Sequence, residues 1–207
     1  MMDLHTYFDF VECREEGCRR LALTGESVCW EHLEDQQDFR HRILAAAAKG
    51  ESLSQWVLAG VDLSSSEMPG VDLTYAFLAG AALDQANLSG ADMRRAHLAG
   101  ASLAGACLSN ANLEFAILGQ ADLSGADLTC ASLKRANLVG AVARGADCRN
   151  ALFFYSRPGN ADFSDADLQG ADITRAIFRR AKLVNANLKN VHGAANFDRA
   201  DLTNIKR

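Results

Sequence analysis

The sequence predicts an all-β solenoid preceded by a small N-terminal module and a capping helix. Three observations support this prediction: a five-residue period that runs without a slip from Trp56 to Asn190, the confinement of charged residues to three of the five positions, and a cluster of cysteines before residue 33. An α-helix does not fit, because a period of five carries apolar and charged residues around all faces of a 3.6-residue helix.

The first element, residues 1–33, is predicted to be a zinc module. Its motif is Cys13-x4-Cys18-x10-Cys29-x2-His32. Three thiolates and an imidazole suit a closed tetrahedral site, which is structural because no coordination position stays open. His5 and His41 are alternative fourth ligands, and three unrelated thiols are the alternative interpretation. A disulfide framework is not expected for a cytosolic chain.

The second element, residues 34–55, is predicted to be a capping helix with a linker. The helix spans Glu34–Lys49, with acidic residues near its start and Gly50 as its stop signal. A solenoid exposes its core and an unpaired strand edge at each end, so a cap is needed there. We therefore expect the helix to cover the first coil.

The third element, residues 56–190, comprises 27 five-residue units. The first position is Ala in 22 units and the third is Leu in 18, while all 25 charged residues occupy the second, fourth or fifth position. The first three positions therefore alternate inward, outward and inward as in a strand, and two residues remain to turn a corner. The fifth position is Gly in ten units and Asn in others, which suits the positive φ of a type II turn.

This pattern, written ADLSG at 121–125 and ANLVG at 136–140, closely resembles the A(D/N)LXX repeat of the pentapeptide-repeat family. The resemblance covers residues 56–190 and resumes at Ala195–Leu202. It implies a right-handed quadrilateral β-helix of about seven coils, with four units per coil and Leu and Ala stacked inside. Residues twenty apart then lie one above the other.

Two segments depart from the regular repeat. Within residues 141–160, Pro158 cannot donate a ladder hydrogen bond and SRPG is a turn pattern, which predicts a bulge or protruding loop; a tolerated kink is the alternative. Residues 191–207 shift the frame by one residue. They are predicted to form an irregular final coil or a self-association surface.

One face of the solenoid lacks acidic residues. We call it the apolar face, and its outward side chains are Val57, Phe77, His97, Ile117 and Ile177, set among Ala and Gly. An apolar β-surface of this length is larger than a monomer usually exposes, so it predicts a site for a protein partner or a homodimer contact. The alternative is that the lack of acids has no functional meaning, because one of the four faces must carry the fewest acidic residues.

A second column alternates aromatic and guanidinium side chains at the fifth position. This ladder consists of Tyr75, Arg95, Phe115, Arg135, Tyr155 and Arg175. A self-satisfied cation–π stack is favoured. A recognition stripe for a partner is the alternative, because Tyr, Phe and Arg are common hot-spot residues.

Acidic side chains also stack at twenty-residue spacing. The acidic columns are Asp127, Asp147 and Asp167 on one face, with Asp122 and Asp162 on its neighbour. Some pentapeptide-repeat proteins resemble duplex DNA and bind type II topoisomerases, so the resemblance implies this role as one hypothesis; solvation of the outer wall is the other. Residues 56–207 contain 15 basic and 15 acidic residues, which counts against DNA mimicry.

Enzyme activity is not expected. The histidines are scattered, a phosphate-binding glycine loop is missing, and the inward positions carry neither carboxylate nor imidazole. The sequence favours a cytoplasmic, non-enzymatic interaction, scaffold or regulatory protein, with neither a membrane helix nor a signal peptide. A DNA-mimicking modulator of DNA gyrase is the first alternative. A nucleic-acid-binding zinc module is the second, and the net charge of −5, all of it within residues 1–55, counts against it.

Overall fold

The computed structural model describes residues 11–207, in which the repeat region is a solenoid with a twenty-residue period. Parallel bridges join Val57 to Phe77, Phe77 to His97 and so on along the chain. Each bridge is one residue long, and residues 11–207 contain no longer strand. Twenty residues hold four five-residue units, in agreement with the expected packing of four units per coil. The right-handed sense and the coil count stay predictions.

Backbone hydrogen bonds join each coil to the next in a repeating pattern. The Leu58 N–H donates to the carbonyl of Phe77 at 2.8 Å, and the Phe77 N–H donates back to the carbonyl of Trp56 at 2.8 Å. The same two bonds recur in unit after unit, so the outer wall is paired along the rod. Short extended segments suffice because each one is held from both sides.

The first and third side chains of the units form one continuous buried core, as predicted. Where the third position becomes small, at Ala143 and Cys148, large rings compensate. Phe153, Phe163 and Phe178 pack with ring centroids 5.7 to 6.1 Å apart. Core volume is therefore kept through the irregular coil, as close packing demands.

Every corner of the solenoid uses a left-handed residue at the fifth position. Twenty non-glycine residues have positive φ, including Tyr75 at 59° and Phe115 at 60°. For a non-glycine residue this conformation costs roughly 1–2 kcal/mol. Gly and Asn were expected for this reason, but the repeat also places Tyr, Phe and Arg there.

Helix α1 spans Gln36–Ala48, within the segment Glu34–Lys49 that was predicted to be a helix, and packs against the solenoid core. The side chain of Asp35 caps it by accepting the Asp38 N–H at 2.8 Å. Phe39 and Ile43 are fully buried and belong to the same core cluster as the solenoid leucines. The helix therefore covers the apolar end that the first coil would otherwise expose.

Two side chains outside the repeat pair the free edge of the first coil. Thr24 accepts the Val57 N–H on its hydroxyl at 2.7 Å and donates its own N–H to the Val57 carbonyl at 3.1 Å. Arg40 donates to the carbonyls of Asp62 at 3.2 Å and Ser64 at 2.9 Å. These bonds replace some of those that a preceding coil would make, so the edge is not open for pairing with another chain at these two units.

The expectation of a bulge or protruding loop within residues 141–160 is wrong. Unit 156–160 keeps the bridge and turn pattern of its neighbours, and Arg157 bridges to Asn137. Only the next bridge, from Arg157 to Ile177, is missing, because Pro158 has no N–H. Asn160 still donates to the carbonyl of Arg179 at 2.9 Å, so one lost hydrogen bond does not displace the chain.

The last segment continues the solenoid with a shifted register. Ile177 bridges to Asn196 and Lys182 bridges to Asp201, a spacing of nineteen residues. The final coil is thus one residue shorter than the others, and its residues still form bridges to the coil before it. No helix within residues 11–207 is long and apolar enough to cross a membrane.

Candidate functional sites

The first half of the Cys3His cluster lies in a short hairpin. Glu12 and Leu21 form an antiparallel bridge, and the turn between them is closed by the Cys18 N–H donating to the Glu15 carbonyl at 3.0 Å. Gly17 follows with φ of 78°, a conformation that a side chain would strain. This turn brings the side chains of Cys13 and Cys18 to the same side.

The second half lies on a single helical turn. A 3-10 helix spans Trp30–His32, preceded by Cys29, and the His32 N–H donates to the Cys29 carbonyl at 3.1 Å. The turn sets the Cys29 sulfur 3.6 Å from His32 Nδ1. It faces the hairpin, so Cys13 Sγ lies 3.2 Å from the same nitrogen.

The four predicted ligands fit a metal ion. One donor atom from each of Cys13, Cys18, Cys29 and His32 lies within 4.8 Å of all the others, and the Cys18 and Cys29 sulfurs are 3.9 Å apart. A tetrahedron with the usual zinc bond lengths has edges of about 3.8 Å between sulfurs and about 3.5 Å between sulfur and nitrogen. His41 lies on α1 outside this group, and His5 falls outside the described residues.

The thiols have unequal acidity. Burial opposes ionisation of Cys13, but hydrogen bonds from His32 and from the backbone outweigh it and lower the pKa of this thiol to about 6. At Cys18 a backbone hydrogen bond favours the thiolate, while burial and the two neighbouring cysteines act against it and raise the pKa. The group is thus a partly ionised thiol cluster suited to a thiophilic metal.

The apolar face contains one half-buried polar ring, that of His97. The rings of Phe77 and His97 stack at 4.6 Å, and His97 Nδ1 is buried without a hydrogen-bond partner among the described residues. Burial lowers the pKa of His97, so the ring is neutral at pH 7. Ile177 is 41% exposed, while Val57 lies at the edge paired by Thr24.

The ladder forms a continuous cation–π stack. Arg95 lies 5.5 Å from the Tyr75 ring and 5.2 Å from Phe115. Arg135 lies 5.4 Å from Phe115 and 5.8 Å from Tyr155. Arg175 follows at 5.1 Å from Tyr155, whose hydroxyl it also contacts. Tyr75 directly precedes the unit that contains Phe77, so the ladder borders the apolar face.

Sequence reasoning missed a group of arginines at the far end of the apolar face. Arg157, Arg179 and Arg180 line one depression together with Val139 and Ile177. Counting only acidic residues made this face look uncharged. Counting both signs for each face would have found the group.

The acidic columns carry a structural role that sequence reasoning did not assign. Each of these aspartates accepts the N–H of the residue two positions later, as Asp122 does from Ser124 at 2.9 Å. The other four are Asp127, Asp147, Asp162 and Asp167. Such bonds hold the turn locally, and Asn makes the same bond elsewhere in the rod.

Basic side chains partly neutralise these columns. Arg149 pairs with Asp147 and holds the pKa of that carboxyl below its ordinary value. Arg144 and Lys182 both lie near Asp162. Burial there favours the protonated form, but the Ser164 hydrogen bonds and these two cations lower the pKa of Asp162.

Comparison with known proteins identifies the family. Residues 52–90, 76–114, 106–142, 131–157 and 159–192 match the family model for pentapeptide repeats, in eight copies. The chain therefore belongs to the pentapeptide-repeat family. The match skips Pro158, the one residue of the segment that breaks the hydrogen-bond ladder.

Solved structures of the same family resemble this chain at low identity. HetL, a pentapeptide-repeat protein involved in heterocyst differentiation regulation in the cyanobacterium Nostoc, is 27% identical, with 84% of this chain and 95% of HetL covered and a TM-score of 0.48. QnrB1, a plasmid-mediated fluoroquinolone resistance protein, is 22% identical over 70% and 83%, with a TM-score of 0.42. A thylakoid-lumen protein of Arabidopsis thaliana is 30% identical over 59% and 71%, with a TM-score of 0.34. A search of curated proteins returned no match.

Proposed function

We propose that this chain is a cytoplasmic, non-enzymatic protein-interaction scaffold that presents the apolar face of its β-helix to a protein partner. The observation that carries the proposal is the composition of this face. Within residues 56–190, the face presents apolar side chains among Ala and Gly, and it contains neither Asp nor Glu. Protein–protein interfaces are depleted of Asp and Glu in the same way.

The geometry of the face supports a flat contact. Second-position side chains are held at fixed coil spacing by backbone bonds on both sides, so little conformational entropy is lost on binding. The Phe77–His97 stack forms a rigid ridge near the start of the face. Aromatic side chains, Phe among them, are enriched at protein–protein interfaces.

Affinity capture with matched variants tests the proposal. Ile117→Asp places a charge on the apolar face, and Val142→Asp makes the same change at the second position of another face. Asp is tolerated at this position because it accepts the N–H two residues later, as Asp122 does. We expect a partner captured by the wild type to be lost with Ile117→Asp and kept with Val142→Asp. Equal capture by both variants would refute the proposal, and sedimentation of the purified chain identifies a homodimer.

We further propose that zinc occupies the Cys3His cluster and staples the N-terminal module. The module has a core of its own in Cys13, Val28 and Cys29, with Leu33 packed against it. Three residues are too few to hold a fold, and a structural metal supplies what such a core lacks. The staple would keep Thr24 in place on the edge of the first coil.

A DNA-mimicking modulator of DNA gyrase or another type II topoisomerase is a second candidate. It would use the acidic columns, in one of which Asp127, Asp147 and Asp167 follow one another in successive coils. Against it stand the turn bonds of these aspartates and the cations that pair with Asp147 and Asp162. A gyrase supercoiling assay with purified protein at micromolar concentration decides, and an unchanged rate removes this candidate.

A further inference from the structure

The basic residues of the solenoid are distributed unevenly among its faces. Residues 56–190 contain twelve Lys and Arg, and six of them lie on the apolar face or on the ladder that borders it. These are Arg95, Arg135, Arg157, Arg175, Arg179 and Arg180. The same two columns contain no Asp or Glu within residues 56–190. One side of an electrically balanced rod is therefore strongly positive.

Ion pairing shows the same asymmetry. On the other faces, five of the six cations have a carboxylate partner: Arg94, Lys134, Arg144, Arg149 and Lys182. On the positive side only Arg179 has one, from Asp198 in the final coil. The nearest acidic residues beyond the ladder already form ion pairs with other cations: Asp92 pairs with Arg94, and Glu114 pairs with Lys134. The charge on this side is thus not balanced within the described chain.

The ladder holds its guanidinium groups in a fixed order. Arg95 and Arg135 are sandwiched between aromatic rings. Stacking covers the flat faces of a guanidinium and leaves its N–H edge free to bind a carboxylate in the plane. The ladder arginines recur at every second coil, so successive ones are about 9.5 Å apart.

The ladder residues keep large side chains at a corner whose left-handed backbone conformation costs free energy for any residue but glycine. All six ladder residues occupy the strained left-handed fifth position, with φ of 59° at Tyr75 and 58° at Arg95. Each of the other three corners uses Gly or Asn in several coils, and this corner uses neither in residues 71–180. Strain retained at every coil points to a function for these side chains.

We propose that the ladder and the apolar face together bind an extended acidic protein segment, whose carboxylates meet the ladder arginines while its apolar side chains lie on the face. This inference rests on the proposed interaction function and specifies the chemistry of the partner. An extended chain in the polyproline II conformation has three residues per turn and rises about 9.3 Å per turn, so every third side chain lies on the same side at the arginine spacing. The segment therefore carries an acidic residue at about every third position. Nucleic acid is less suited, because the isoleucines of the face offer nothing to a phosphate backbone.

Peptide binding to the full chain tests the proposal. The probe is a fluorescein-labelled twelve-residue peptide with Glu at every third position and Ile and Pro between, followed by anisotropy at low salt. The Arg95→Gln, Arg135→Gln double variant removes two guanidinium groups, and Gln fits this backbone because Gln85 already adopts φ of 58°. We expect binding to weaken about tenfold or more. The control pair Arg144→Gln, Lys189→Gln removes two cations from other faces and should stay within about twofold of wild type.

Four results would overturn the proposal: no binding by the wild type, equal loss in the control pair, equal binding of a peptide with its Glu residues clustered, or tighter binding of an oligothymidine strand. Thermal unfolding of each variant checks that the fold is kept. The two proposals fail separately. If the peptide does not bind while Ile117→Asp still abolishes capture of a partner, the interaction function stands and the acidic-segment inference falls.

Discussion

At the residue scale, the second position of the repeat has two functions that depend on the side chain present. Where it is Asp or Asn, the side chain accepts the N–H two residues later and holds the corner, as Asp122 and Asn112 do. Where it is Ile or Val, as at Ile117 and Val142, the corner forms without that bond and an apolar side chain occupies the outward position. The apolar face is therefore built from positions that give up a local hydrogen bond, at a cost of about 1 kcal/mol each.

The Cys3His cluster yields a prediction at the same scale. Cys29→Ser removes one of four ligands and leaves too few thiolates for a closed site. We expect the metal content of freshly purified protein, measured by mass spectrometry, to fall from one zinc ion per chain to a small fraction of that. Cys130→Ser is the matched control, because Cys130 is an exposed corner residue outside the cluster. Zinc retained in Cys29→Ser, or missing from the wild type, would contradict the assignment.

At the element scale, α1 covers the first coil of the solenoid, and its buried side chains should stabilise that end of the molecule. Ile43 is completely buried against the first coil, so Ile43→Ala leaves a cavity and should lower the free energy of unfolding by about 2–5 kcal/mol. His41→Ala, an exposed change on the same helix, should stay within about 0.5 kcal/mol. Denaturant unfolding measures both.

Amide hydrogen exchange shows whether α1 protects the first coil from opening or only packs against it. If α1 closes the first coil, Ile43→Ala should speed exchange of the amides of Leu58 and Leu63 before those of later coils. Protection that stays uniform along the rod in this variant would mean that α1 does not control the end. A repeat protein in which each coil contacts only its neighbours is expected to open from its ends.

Sequence reasoning reached different depths in different elements. The repeat was predictable because its period leaves one way to keep every charge outside. The helix was predictable because acidic residues near its start and Gly50 after its end are helix signals, although the predicted start at Glu34 missed the Asp35 cap. Edge pairing by Thr24 and Arg40 was not predictable, since it depends on how the module docks. The loop expected around Pro158 was wrong because the hydrogen bonds of neighbouring units hold that coil in place.

At the scale of the whole molecule, charge is arranged by face rather than by domain. The net charge of −5 lies in residues 1–55, and the solenoid is balanced overall but positive on one side. The net charge of the solenoid hides this uneven distribution, so composition alone does not distinguish a DNA mimic from a protein that binds an acidic partner. The charge of each face, and not the net charge of the solenoid, determines which partners are attracted.

The acidic turns also predict how stability of the whole solenoid depends on pH. Hydrogen bonds from the turn lower the pKa of Asp62 from the ordinary value of 3.8, and Arg149 and Arg94 do the same for Asp147 and Asp92. A carboxyl whose pKa is lower in the folded chain than in the unfolded chain stabilises the fold above the unfolded value and loses that contribution as pH falls below it. His97 acts in the same direction at higher pH, because partial burial lowers the pKa of its ring from the ordinary value of 6.5.

We therefore expect the urea midpoint to decline gently once the pH falls below 6.5 and steeply below 3.8. The variant Asp62→Asn, Asp147→Asn keeps both turn acceptors but removes two titrating groups, so its decline below pH 3.8 should be shallower than that of the wild type. The change Asp165→Asn is the control, because the Asp165 carboxylate accepts from Asn185 in the next coil and holds no turn N–H. A midpoint that rises on acidification, or an identical slope in all three proteins, would show that the turn carboxylates do not couple protonation to folding.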